Sequence, residues 1–100
     1  MQQINLNPIA NQKFTFSGGG ANWEITLKYN PIGFTMATIS ADGKELCQNL
    51  KCFANQKILP YDWQNKNGNF AFKTQDGNYP VFSDFGSTCF FYFLESGEVL

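Results

Sequence analysis

Thr88-Cys89-Phe90-Phe91-Tyr92-Phe93-Leu94 is the stretch on which the fold turns. Successive side chains of a strand point to opposite faces, so a strand with one wet face alternates apolar and polar residues. Here one face carries Cys89, Phe91 and Phe93, and the other carries Phe90, Tyr92 and Leu94. Both faces want cover. A short chain covers one face with its own core; the second needs another layer, a barrel that curls round it, or a partner subunit.

Working outward, the same period of two recurs. Asn22 to Tyr29 alternates, with Trp23, Ile25, Leu27 and Tyr29 inward and Glu24, Thr26 and Lys28 outward. That is the signature of an antiparallel strand with one solvated face. Lys13 to Ser17 alternates before it, with Phe14 and Phe16 on one face, and Gly18-Gly19-Gly20 supplies a hairpin between the two. Phe34 to Ser40 is a further strand, turned by Ala41-Asp42-Gly43-Lys44 into Glu45 to Phe53. That last segment reads as extended, although Leu46, Leu50 and Phe53 fall at helix-like offsets. Phe70 to Thr74 alternates once more, Asp76-Gly77-Asn78 turns, and the aromatic strand closes the chain.

Short strands with turn signals every 8–12 residues or so read as all-β: a small single-domain antiparallel β-barrel or sandwich of about six to eight short strands. Closure into a barrel is the preferred solution, because it removes the unpaired edges. The domain plan is an extended N-terminal arm over residues 1–12, a single all-β domain over 13–94, and a C-terminal tail over 95–100. In the arm Ile4 and Leu6 alternate with polar residues before Pro8 interrupts, so it is either a short edge strand or a reach toward a neighbour.

Composition excludes a good deal of chemistry. The chain has 100 residues, with 7 basic and 8 acidic, and every basic residue is Lys. Without Arg there is no bidentate fork for phosphate or guanine. Without His there is no imidazole base near neutrality and no His ligand for a metal. Near-zero net charge gives no general pull toward nucleic acid or anionic lipid. No apolar run approaches the 18–20 residues or so that span a bilayer, and no apolar signal core follows Met1. Cys47, Cys52 and Cys89 are an odd set without His, so they make a poor zinc site and lack an activating base; reduced, mostly buried thiols are expected. Asp42 and Asp76 precede glycine in turns, where Asp accepts backbone hydrogen bonds, and none of the turns has calcium-loop spacing. The triple glycine lacks the Lys-Ser/Thr of a phosphate loop. No catalytic residue, cofactor or metal is expected. Trp23, Tyr61, Trp63 and Tyr79 among scattered lysines raise an alternative, a ligand-binding module for single-stranded nucleic acid, or for carbohydrate through Trp63 and its Asn-rich loop.

Taken together, the elements resemble the phage baseplate plug family, small proteins of contractile bacteriophage tails. The likeness begins at Ile4-Asn5-Leu6-Asn7-Pro8 and Asn11-Gln12-Lys13-Phe14. It continues through Trp23-Glu24-Ile25-Thr26-Leu27 and Met36-Ala37-Thr38-Ile39. It ends with Asn69-Phe70-Ala71-Phe72, Pro80, and the run from Asp84-Phe85-Gly86 to Phe91-Tyr92-Phe93-Leu94. Residues 95–100 extend past the point where the family pattern ends, and the triple glycine matches loosely. The resemblance implies one all-β domain without catalytic residues, a structural part of the virion's tail baseplate near the central hub, helping to close its channel before infection. It implies assembly in the host bacterial cytoplasm, from a phage or a prophage gene. Partners would be other tail baseplate and hub proteins, with a homo-oligomer in the assembly as a further option; nucleic acid and membrane are not expected partners. Interface cores are rich in rings and poor in charge. The expected contact residues are therefore Phe90 and Tyr92 on the outer face of the last strand, with Ile4 and Leu6 as a second docking element.

Overall fold

The computed structural model describes residues 1–100 and contains eight strands. These are β1 (Gln2–Ile4), β2 (Asn11–Gly18), β3 (Ala21–Asn30), β4 (Phe34–Ala41), β5 (Lys44–Lys51), β6 (Gln56–Lys57), β7 (Asn69–Thr74) and β8 (Cys89–Leu94). A single turn of 3-10 helix, Phe82–Asp84, sits in the connection from β7 to β8. The strands form two four-stranded sheets, ordered β1-β8-β7-β6 and β2-β3-β4-β5, with antiparallel pairing between neighbouring strands. This is a sandwich. The expected closure into a barrel is not found: the sheets share no strand pairing, and their edges are handled one by one instead.

The period-two pattern of β3 is realised as read. Trp23, Ile25 and Leu27 are buried, Tyr29 is half-buried, and Glu24 and Lys28 face solvent. From the other sheet Phe70, Phe72, Phe91 and Phe93 enter the same core cluster. Phe70 stacks on Phe91 with centroids 5.5 Å apart and planes 7° off parallel, and Trp23 meets Phe70 edge-on at 5.0 Å. Phe14 and Phe16 reach across from β2 to Phe91 and Phe93. Each such ring buried contributes on the order of 1.5–3 kcal/mol, and offset or edge-on pairing adds about 0.5–1.5 kcal/mol per pair.

Strand β5 explains its own ambiguous sequence. Between the pairs Ala37↔Leu50, Ile39↔Cys47 and Ser40↔Glu45 the register slips twice, each time with an extra residue on β5. Such bulges break strict alternation, which is why its apolar residues mimic helical spacing.

The two ends of the sandwich are closed by loops. At one end, residues 58–68 lie against the β2–β3 hairpin, whose Gly19 and Gly20 both have positive φ (61° and 78°), as a two-residue type I′ turn requires. Asn67 donates to the Gly19 carbonyl, and a Cβ on Gly19 would stand 1.8 Å from the Asn67 carbonyl oxygen. Buried Asn69 holds the loop's base, accepting from the Leu59 and Phe70 N–H groups and donating to the Leu59 carbonyl. At the other end, residues 75–88 pack Phe85 on Phe72 and Phe82 on Tyr29, while buried Thr35 donates to the Pro80 carbonyl.

Gly68 is the tightest point between loop and core. Its φ is 135°, and an added Cβ would lie 2.5 Å from the Phe93 ring and 2.7 Å from the Leu94 carbonyl oxygen. Backbone strain and overpacking combine there, so Gly68→Ala should lower the unfolding free energy by about 3 kcal/mol. Urea denaturation followed by Trp fluorescence measures this; an unchanged midpoint would contradict the packing described.

Candidate interaction surface

Strand β8 presents its two faces as the sequence implied, one to the core and one outward. Cys89, Phe91 and Phe93 are buried, whereas Phe90 and Tyr92 are half-buried on the opposite face. Across the ladder Phe90 stands opposite Lys73, and Tyr92 stands between Ala71 of β7 and Gln3 of β1. Small or polar neighbours leave the two rings as the apolar features of that face, together with the sealed Leu94.

The N-terminal arm is drawn onto its own domain. β1 pairs with β8 through Gln2↔Phe93, Gln3↔Tyr92 and Ile4↔Phe91, so the arm supplies an edge strand. Ile4 and Leu6 are half-buried and pack against the core cluster. The structure brings three of the four expected contact residues together: Ile4, Leu6 and Phe90 border one crevice of about 40 Å³, with Phe85 and Cys89 behind them. That volume holds a few waters at most and no sizeable ligand. Tyr92 lies outside it, two residues along the strand.

A second cluster was not read from the sequence. The Lys51 ammonium lies 4.3 Å from the Tyr79 ring centroid, 4.6 Å from Phe34 and 5.4 Å from Phe53. Phe53 and Tyr79 are exposed, with centroids 5.9 Å apart. Lys51 forms no ion pair with a carboxylate, the two ion pairs of the chain being Met1–Glu98 and Lys13–Glu24. Cation–π contacts at exposed sites contribute about 0.5–1 kcal/mol each. The pairing Met36↔Lys51 in β4–β5 and the long connection after β7 assemble these four residues. A lysine between aromatic positions is the only trace they leave in the sequence.

The ionisable groups with defined partners serve the fold, while Lys57, Asp62, Lys66 and Glu95 line one open depression with Ser96. Asp42 accepts the Asn22 N–H at 2.9 Å and Asp76 accepts the Asn78 N–H at 3.0 Å, so both carboxylates brace turns. Glu98 is held below the usual carboxylate range by hydrogen bonds from the Met1 ammonium and the Glu95 N–H. All three cysteines are free; Cys52 and Cys89 are buried and Cys47 is half-buried. Burial raises all three thiols above their ordinary range, and Cys89, also facing the Asp84 and Asp76 carboxylates, is pushed up to about 12. These are inert thiols rather than activated ones. Of the rings proposed to stack bases, Trp23 is only 1% exposed and donates its indole N–H to the Gly18 carbonyl at 2.9 Å. It is core, which corrects that assignment. The Asn-rich loop is also committed: Asn65 and Asn67 donate their amides to backbone carbonyls beneath them.

The chain belongs to the baseplate plug family. The family described as Cyanophage baseplate Pam3 plug gp18 matches residues 1–96. A comparison with curated proteins gives no match. The family is one of baseplate plugs, structural components of a phage tail baseplate, and the fold is all-β.

The thiols supply a test of the burial pattern. A raised thiol favours the folded state's neutral form, so its stabilising effect is complete below about pH 9 and is lost as pH climbs toward 12. Cys89→Ala should flatten the fall in unfolding free energy across that window. With Ellman's reagent at pH 8, Cys52 and Cys89 should label only on unfolding; rapid labelling of either in the native protein would contradict their burial.

Proposed function

We propose that this chain is a plug-like subunit of a bacteriophage or prophage tail baseplate, packed near the central hub and non-catalytic. The family match over residues 1–96 is the observation that carries this reading. Ring exposure supports it. Of 17 aromatic side chains the core buries Trp23 and five Phe, and the other eleven stay half-buried or exposed. A body that ends with that much ring area outside its core is suited to contact with neighbours.

The outer face of β8, through Phe90 and Tyr92, contacts another tail protein in this proposal. Ile4 and Leu6 form the second docking element, offering the sides of their chains that their own core leaves uncovered. Both elements meet at the crevice shared with Phe90, so one neighbour can engage the arm and the strand together. Synthesis and assembly in the host bacterial cytoplasm suit three free thiols, since reducing compartments keep thiols unpaired. This reading gives catalysis no role: Asp42 and Asp76 brace turns, and the buried thiols are held protonated.

Mass spectrometry of purified particles, from the phage or the induced prophage, tests the assignment. Wild-type chain should be present in the tail. Phe90→Asp and Tyr92→Asp should each leave the isolated domain folded by circular dichroism and yet absent from particles. Outright unfolding of both variants would show that these rings serve the core and would remove them from the interface.

A further inference from the structure

A sandwich of this kind has four sheet edges, and three of them are blunted. β1 is three residues long and β6 is two. β5 carries two register slips and positive φ at Asn49, and buried Gln64 donates to its Leu46 carbonyl at 2.7 Å. Short strands, bulges and covering groups are the devices by which edges are made unfit for pairing.

β2 has none of them. It runs eight residues, pairs with β3 in continuous register from Asn11↔Lys28 to Gly18↔Ala21, and contains no proline. Gly18 and Ala21 flank a two-residue turn, so they exchange both hydrogen bonds, and bonding alternates from there along the ladder. Asn11, Lys13, Thr15 and Ser17 therefore aim their N–H and C=O groups away from β3. No strand lies beyond β2, and no turn or side chain of the chain bonds those groups. The one charge on this edge, Lys13, is occupied by Glu24 at 3.2 Å. On the inward face Phe14 and Phe16 stay half-buried at the rim.

We infer that β2 is a docking edge, and that its occupant is an extended segment of another baseplate protein added as a fifth strand to this sheet. The segment would place apolar residues at alternate positions, against the uncovered sides of Phe14 and Phe16, while its main chain meets the four free N–H and C=O pairs. A second copy of this chain is the weaker fit. An eight-residue edge falls well short of the roughly 20–30 residues a side of a stable interface. A segment tethered to a protein already seated in the baseplate has the advantage of high local concentration. This inference rests on the baseplate reading, but concerns a different surface from the β8 face.

Amide hydrogen exchange, comparing the isolated wild-type chain with purified baseplates, reads the edge directly. Exchange over Asn11–Gly18 should slow by about tenfold or more in the assembly. Thr15→Pro supplies the second arm. It removes an N–H that has no internal partner and sets a ring on the edge, a position where edge strands accept proline. That variant should be lost from particles, while Thr15→Val, which keeps the N–H, should be incorporated like wild type. Equal exchange in both states, or normal incorporation of Thr15→Pro, would overturn the inference. Slow exchange already in an isolated chain that sediments as a dimer would assign the edge to a second copy and overturn the proposed occupant. Absence of the wild-type chain from baseplates would defeat the baseplate reading itself, and is told apart by being seen before any variant is made.

Discussion

The contact on which the structure depends is the stack of Phe70 on Phe91, with Trp23, Phe14 and Phe16 closing around it from the facing sheet. Two sheets that share no strand pairing are held face to face by the core between them, in which Trp23, Phe70, Phe72 and Phe91 are the largest fully buried side chains. Ring-on-ring contact has geometry as well as area, so it fixes which residues of β7 and β8 point inward. Gly68 and Gly19 follow from it: the loop over this end comes so close to Phe93 and to the hairpin that a side chain has no room. The buried amide of Asn69 then anchors that loop without leaving a polar group unpaired.

Such an interior also sets what the molecule can do. A chain of this length has room for six sealed rings, and the remainder are distributed over its surface. Seven of them lie at the rim of β2, on the outer face of β8 and around Lys51; Tyr29, Phe82, Tyr61 and Trp63 make up the rest. Many polar groups go the other way, into turns and loop anchors, and the thiols are held protonated by burial. A rigid body with ring-bearing edges and inert thiols has the makings of a building block, in keeping with its family.

Legibility in the sequence followed from how strictly the period of two was kept. β3 could be read with its faces because its alternation is unbroken, whereas β8 is apolar on both faces and its Leu94, on the side of Phe90 and Tyr92, is fully buried. β5 could be recognised only as extended, because two bulges shift its apolar residues out of step. The preference for a barrel failed on a physical point: edges can be blunted by shortness, bulges or a covering amide, and strand alternation carries no sign of which device is used. Trp23 shows a second limit. Its inward place in β3 was legible, and grouping it with exposed rings overlooked the indole bond to Gly18 that lets a Trp be buried. The Lys51 cluster was out of reach, since Phe34, Lys51, Phe53 and Tyr79 meet only through strand pairing and a long connection. For the expected contact residues, the outward aim of Phe90 and Tyr92 was visible, but the docking of Ile4 and Leu6 onto their own core depended on β1 pairing with β8.

In the proposed assembly an inner set of rings holds the sheets together and the outer set meets neighbours. Hydroxyl-radical footprinting of the isolated chain and of intact baseplates addresses both sets at once. Trp23, Phe70 and Phe91 should resist oxidation in both states, while Phe14, Phe16, Phe90 and Tyr92 should be oxidised in the isolated chain and shielded in the particle. Equal oxidation of the outer rings in the two states, or ready oxidation of the inner three in the folded monomer, would contradict it.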